Sequence, residues 1–239
     1  MTGTLHGRAE RAAADLAQAE QALAEGAAVV VPNPAPLTHV VTARRASTVN
    51  EAKGRPAGQS VALWAHHPDT LSAVEQIWAL GPEERATARR LLTQERLTVL
   101  VPVHDGTGTP DWAPPAVKDG WMLLFGARWE SLRPLLDRHP LLYVSSANRT
   151  GHQPAATTAE ALAMFSDAVP VLTVPEPRDA PSPVSGTRRR ATTTVRLHSD
   201  GRLELHRHGA QDQHHADPAH YLEELQERCR QETRDAAAP

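Results

Sequence analysis

Short β-branched apolar runs alternate with helix-like segments, and the last two runs flank Ser199-Asp200-Gly201 as a hairpin would. With 20 Pro and 14 Gly as punctuation, this predicts an α/β domain with a mixed sheet. The chain's 239 residues suit one domain, or one domain and a tail. A composition of 40% hydrophobic and 22% charged residues supports a packed core. Only 4% are aromatic, so aliphatic side chains must fill most of it. The 25 Lys and Arg against 28 Asp and Glu leave a formal charge of −3. That argues against gripping nucleic acid by bulk positive charge, but not against a small cationic pocket. Cys229 is the single cysteine, which excludes an internal disulfide and a cysteine-based zinc cluster. Met1–Glu25 lacks the apolar core of a secretory signal, and Gly26–Pro32 and Trp121–Ala127 fall far short of the ~20 residues that span a bilayer. The expected compartment is the cytoplasm, with no membrane partner.

Residues 8–25 read as a helix, with Ala12, Leu16, Ala19 and Leu23 on one face and Gly26 as its stop. Ala27–Val31 reads as a buried strand closed by Pro32, and Pro32, Pro34 and Pro36 stiffen the loop that follows. Residues 46–52 suggest a short helix, Ser60–Ala65 a strand, and 70–80 a helix capped by Asp69 or Thr70. A helix over Glu83–Leu92 starts near Pro82, and Leu97–Val101 is a strand ended by Pro102. His104–Gly120 is loop, Trp121–Phe125 a strand, Glu130–Arg138 a short helix and Leu141–Val144 a strand. Thr157-Thr158-Ala159-Glu160 signals the start of a helix through about 166, and Val171–Val174 is a short strand. Pro175–Arg190 reads as an exposed loop ending in Arg188-Arg189-Arg190. This arginine run is either a solvated loop or a flap over a triphosphate. Thr192–Leu197 and Arg202–Arg207 form the hairpin, and Asp217-Pro218 opens a last helix carrying Tyr221, Leu225 and Cys229 on one face. The expected organisation is a domain over 8–212 and a helical tail over 213–239, packed on the domain or on a second subunit.

Familiar chemical signatures are absent: no GxxxxGK[ST] loop, GxGxxG, GxSxG or HExxH occurs. Adjacent histidines such as His66-His67 and His214-His215 diverge on any regular element, so neither pair is a natural two-ligand site, and no resident metal is expected. Cys229 on an apolar stripe reads as packing. Two segments stand out. Lys53-Gly54-Arg55-Pro56 sets an ammonium beside a guanidinium around a glycine that permits close backbone approach, a set suited to polyphosphate. It also describes an ordinary solvated basic turn. Ser145-Ser146-Ala147-Asn148-Arg149-Thr150-Gly151 follows a buried-looking strand, at the strand end where α/β sheets bind ligands. It equally describes a polar turn leading into the next helix.

Together these segments resemble the YrdC/YciO-type domain of threonylcarbamoyl-adenylate synthases. Lys53-Gly54-Arg55 resembles that family's Lys-x-Arg element, and Ser146-Ala147-Asn148 its Ser-x-Asn element within a Ser-Ala-Asn-x-Ser-Gly signature. Ala22–Pro32 resembles its first helix and strand. Leu97–Leu100 resembles a later strand, Thr192–Leu197 the Ser-Thr-Val-Val-Asp-Leu strand, and Arg207-His208-Gly209-Ala210 the closing Arg-x-Gly-Ala. The resemblance implies a twisted mixed parallel/antiparallel sheet flanked by helices, with a concave cationic cavity. It also implies a reaction: the amine of threonine and bicarbonate give a carbamate, which attacks the α-phosphorus of ATP to form threonylcarbamoyl-AMP, used downstream in tRNA modification. By this resemblance Lys53, Arg55, Ser146 and Asn148 are the catalytic set. Lys53, Arg55, Ser145, Ser146, Asn148, Thr193 and Arg207 hold the nucleotide, and Asn33 and Thr38 face the amine-bearing acid. Magnesium would arrive with ATP rather than in a carboxylate cage.

The chain also departs from the pattern. The family's Pro-Thr-x-Thr-x-Tyr-Gly-Leu is here Pro32-Asn33-Pro34-Ala35-Pro36-Leu37-Thr38-His39. No Arg stands near Phe125, where the family has Arg-x-Pro, and Arg128 is three residues off. Gln94-Glu95-Arg96 replaces a Pro-Gly, and Arg196 replaces an Asp. Three functions are compatible with this mixture. The first is a divergent carbamoyl-adenylate-forming nucleotidyltransferase acting on threonine or another amine-bearing acid. The second is a catalytically impaired module binding a nucleotide or RNA, double-stranded RNA included. The third is a specialised biosynthetic enzyme using the pocket for another carbamoyl or acyl phosphate. Oligomeric state is left open.

Overall fold

The computed structural model describes residues 13–104, 109–174 and 189–236, with side chains to residue 231. Among them nine strands form one sheet. Strand β1 (Val29–Val31) runs antiparallel to β2 (Val40–Ala43), which pairs antiparallel with β7 (Tyr143–Ser146). The order continues through β3 (Ala62–Trp64), β6 (Trp121–Phe125), β4 (Thr98–Pro102), β8 (Thr194–Leu197) and β9 (Leu203–Arg207), with β5 (Val117–Lys118) beside β6. Only β3 with β6 and β4 with β8 are parallel, so the sheet is mixed, as the sequence predicts.

Side chains alternate across the sheet and divide its interior. Val41, Leu63, Val99, Met122 and Leu124 point to one face. There they meet α2 (Ala46–Ala52), α3 (Pro68–Glu75), α4 (Pro82–Thr93), α6 (Thr158–Met164) and α7 (Pro218–Ala236). Val29, Val31, Trp64 and Phe125 point to the other, where α1 (Leu16–Ala24) and α5 (Arg133–Leu136) cover part of the surface. Among the described residues no helix covers the rest of this second face, which forms the floor of a cavity.

Several elements differ from expectation. Residues 8–12 lie outside the described residues, and α1 starts after Asp15, whose carboxylate and Gln18 complete a capping box. Strand β2 is not anticipated. It is buried at every position, so it lacks the alternation that marks a strand. Helix α3 begins at Pro68 with His67 as its cap, since proline is favoured at the first helical position, displacing Asp69 and Thr70 as caps. The expected helix over 130–138 is a 3-10 turn at Glu130–Leu132 followed by α5, because Pro134 contributes no backbone donor. Residues 171–174 make isolated bridges, Val171 with Val30 and Leu172 with Ala14, not a full strand. The loop over 104–120 contains a 3-10 turn at Pro114–Ala116 and β5.

The C-terminal helix packs on the domain. Tyr221, Leu225 and Cys229 are buried against the core. Arg228 makes two hydrogen bonds of 3.1 Å to Glu95 at the end of α4. Replacing Leu225 with Ala is expected to destabilise the full chain by about 2–4 kcal/mol in urea unfolding, the cost of a cavity at a fully buried site. A change below about 0.5 kcal/mol, the range of surface substitutions, would show a helix merely resting on the surface.

Candidate active site

The site begins with the antiparallel pairing of β2 and β7, whose register sets Val40 opposite Ser146. Helix α2 follows β2, packs back on both strands, and ends at Lys53. Gly54 has a φ of +64°, the left-handed conformation that terminates a helix, and its amide bonds Glu51 O at 2.9 Å. The glycine therefore closes the helix end. Arg55 leaves this turn with its backbone amide on Asn50 O at 3.0 Å and its Nε on Asn50 Oδ1 at 2.5 Å. Asn50 holds the returning chain in turn, donating to Ala57 O at 2.8 Å and Gln59 O at 2.7 Å.

The Lys-x-Arg turn and the Ser-x-Asn turn are joined through Lys53. Its ammonium donates to the carbonyl of Ser146 and, at 2.9 Å, to Asn148 Oδ1. Ser146 Oγ also donates to Asn148 Oδ1, at 2.6 Å. The Asn148 amide nitrogen donates to His152 O at 2.9 Å, which fixes its orientation. Thr150 N returns to Lys53 O at 3.1 Å, closing the two turns on each other. Lys53 is only 4% exposed. Burial, then the neighbouring Arg55 charge, pull its pKa down to about 7. Burial also lowers the Arg55 pKa, and its Nη2 is buried without a hydrogen-bond partner.

These groups border a cavity of about 350 Å3 on the open face of the sheet, within the size range of small-ligand sites. Its wall contains Lys53, Arg55, Ser145, Ser146, Asn148 and Arg207, together with Asn33 and Thr38. Thr193 is the sequence-predicted residue that stays outside the wall. It stands just before β8 and is fully buried, and its hydroxyl donates to Asp212 Oδ1 at 2.5 Å. Thr192 takes its place in the wall, its hydroxyl 2.5 Å from that of Thr98. Thr98, Thr150, Thr192, Gln59 and Ser60 are wall residues that sequence reasoning missed, and only strand register could have revealed which threonines face the cavity. The described wall holds three basic side chains and no carboxylate. Hydroxyls, amides and guanidinium donors without competing acids are a set that accepts an anion.

The departures from the family pattern have structural partners of their own. Asn33 is buried, and its amide donates to Thr38 O at 2.9 Å, bracing the proline-rich loop. Arg189 donates to Asn33 O at 2.9 Å and to Leu37 O at 3.3 Å, and Thr38 N bonds Arg190 O at 2.9 Å. The Arg189 side chain and the Arg190 backbone are thus bonded to the loop at 33–38, while the Arg190 side chain is exposed; Arg188 lies outside the described residues. His39, just beyond, is held neutral: burial, then Arg189, lower its pKa to about 4. Arg128 reaches Thr93 O at 3.2 Å, outside the cavity wall, so it does not supply the arginine missing near Phe125. Arg196 stacks over Trp121, 4.7 Å from the ring centre, and pairs with Glu204.

No family model and no curated protein matches this sequence. Solved structures do. Pyrococcus abyssi Sua5 complexed with L-threonine superposes with a TM-score of 0.58 at 18% identity, over 81% of this chain and 54% of that one. Escherichia coli YciO gives 0.54 at 13% identity, over 81% of this chain and 88% of its own. The chain has the YrdC-like fold. Full-length HypF in its phosphate- and nucleotide-bound form gives 0.59 at 17% identity, over 87% of this chain and 31% of that one. The chain therefore spans about half of the Sua5 chain and about a third of the HypF chain.

Lys53 yields a pH prediction. Between about pH 7 and the ordinary lysine value near 10.5 the unfolded chain binds the lysine proton and the folded chain does not. Stability attributable to this group rises with pH across that window, while below pH 7 the whole desolvation penalty is present. Urea unfolding at about pH 7 and 9 should show the wild type gaining stability relative to Lys53→Met. Parallel pH dependence of the two proteins would contradict the lowered lysine pKa.

Proposed function

We propose that this protein is a nucleotidyltransferase that forms a carbamoyl-adenylate from ATP, bicarbonate and a small amine-bearing acid, threonine or another. The observation that carries this reading is the joined Lys53–Ser146–Asn148 cluster, bordering a wall with basic groups and, among the described residues, no carboxylate. Condensation of the amine with bicarbonate gives a carbamate and water. A carbamate oxygen then attacks the α-phosphorus, and the bond from that phosphorus to the pyrophosphate oxygen breaks. Both partners are anions, so the protein's task is positioning and charge neutralisation.

An ammonium has three donors, and Lys53 uses two within the protein, leaving one for a phosphate oxygen. A phosphate bound there would favour the charged lysine, so a proton is taken up as the nucleotide binds near neutral pH. The unpartnered Nη2 of Arg55 offers a second donor, and Arg207 stands across the wall. Ser146 and Asn148 orient the phosphates or the carbamate. Asn33 and Thr38 shape the acceptor side. Hydroxyls and amides alone make no resident magnesium cage, so the metal comes as the ATP complex. The L-threonine held by the Sua5 relative and the phosphate and nucleotide held by the HypF relative are ligands of the kinds this reading requires.

A second reading has one observation in its favour. With Arg128 turned to Thr93 O, no arginine among the described residues takes the place expected beside Phe125, so the protein would be a module that binds a nucleotide or an RNA element without turnover. A panel of amino acids with ATP, magnesium and bicarbonate decides between the two. Pyrophosphate release that needs both bicarbonate and one amino acid is the expected result. ATP protection against heat without any release supports the binding module. Release with an unrelated carbamoyl or acyl phosphate instead would reassign the reaction. Lys53→Met should weaken ATP binding by roughly 10–100-fold, the worth of one charge-assisted hydrogen bond, as measured by calorimetry. Unchanged affinity would remove the phosphates from this position.

A further inference from the structure

We propose that His215, His220 and Glu224 form a binding site for a divalent transition metal of the zinc class, remote from the cavity and independent of the reaction proposed there. His220 and Glu224 are four residues apart on α7, which places them on the same helical face. His215 lies in the turn before the helix, where its amide bonds Asp212 O at 3.0 Å. Ligand atoms of the three side chains lie within 4.8 Å of one another. His220 Nε2 is 2.9 Å from Glu224 Oε1, and His215 Nδ1 is 3.9 Å from Glu224 Oε2. A tetrahedral zinc ion with bonds of 2.0–2.1 Å separates its ligand atoms by roughly 3.3 Å, a value these two distances bracket.

The surroundings hold the donors in place. The His215 ring packs 5.0 Å from the ring of Tyr221, itself only 2% exposed. The two histidine rings are tilted by 60° with centres 6.1 Å apart, so they are not stacked, and their nitrogens converge on one carboxylate. Glu224 is also 3.8 Å from Arg228, which is anchored to Glu95, giving the carboxylate the outer-shell support that metal ligands require. Two imidazoles and one carboxylate favour zinc over magnesium or calcium, and three protein ligands leave a fourth position for water. As bare ion pairs at a solvent-facing position these residues would contribute little to stability. As ligands they would tie the turn after Asp212 to α7. Adjacent histidines pointed nowhere in the sequence; the structure takes one of them, His215, and pairs it with residues a full turn and more away.

The test uses full-length, tag-free protein stripped with a chelator and titrated with zinc sulfate in a calorimeter. The wild type should bind one ion per chain at about pH 7.5. His215→Ala and His220→Ala should each weaken binding by about tenfold or more. Zinc should raise the melting temperature of the wild type but not of the double variant. Cobalt in place of zinc should give the visible absorption of a four-coordinate site. No zinc uptake by the wild type, or equal uptake and equal thermal shift in the double variant, overturns the proposal.

Discussion

An ammonium withdrawn from water must be met by oxygen, and Lys53 meets two oxygens on the far side of a strand pairing. One is the carbonyl of Ser146, the other the side-chain amide of Asn148, both at the end of β7. The lysine is at the end of α2, and α2 follows β2. The bond is therefore possible only when β2 lies against β7 in the observed register. That register brings the two turns together and sets the wall of the cavity. The same burial that creates the contact lowers the lysine pKa to about 7, so an architectural bond also sets the charge of this side chain.

The alternation of side chains across the sheet carries the rest of the site. One face is sealed by five helices and is apolar. Among the described residues the helices on the other are α1 and α5, and where their cover ends the strands present Thr98, Ala62, Leu123 and Val144 to the cavity. The net charge of −3 conceals this arrangement. Lys53, Arg55 and Arg207 share one wall, while acidic residues such as Glu75, Glu204 and Glu224 pair with arginine or histidine elsewhere. A net negative chain and a cavity wall with three basic side chains coexist because charge is averaged over the chain but felt locally.

Where the chain departs from the pattern it resembles, the substituted residues have local partners. Glu95, standing near a lost Pro-Gly, holds Arg228 and fastens α7. The proline-rich loop that replaces two threonines and a tyrosine is braced internally by Asn33 and externally by Arg189. These are contacts that stiffen a wall and attach a helix.

Much of this was legible in the residues. The span of β6 and the closing hairpin follow from β-branched and apolar runs bounded by turn residues. The basic turn and the Ser-x-Asn turn stand out because their residue types suit phosphate oxygens. Strand β2 was not legible: a strand buried on both faces has no period-two signature, and its polar Thr42 is satisfied only by the carbonyl of Tyr143, 101 residues away. Nor could the sequence tell that Thr192 and Thr98 face the cavity while Thr193 turns to Asp212, since β-propensity is blind to which face a threonine occupies. The sequence by itself determined the α/β alternation, the two polar turns and the closing hairpin, all of which depend on neighbours a few residues apart. Tertiary structure decided the strand order, the side chains that line one cavity, and the protonation of Lys53. These depend on burial and on partners far along the chain, which only the closed sheet brings within reach.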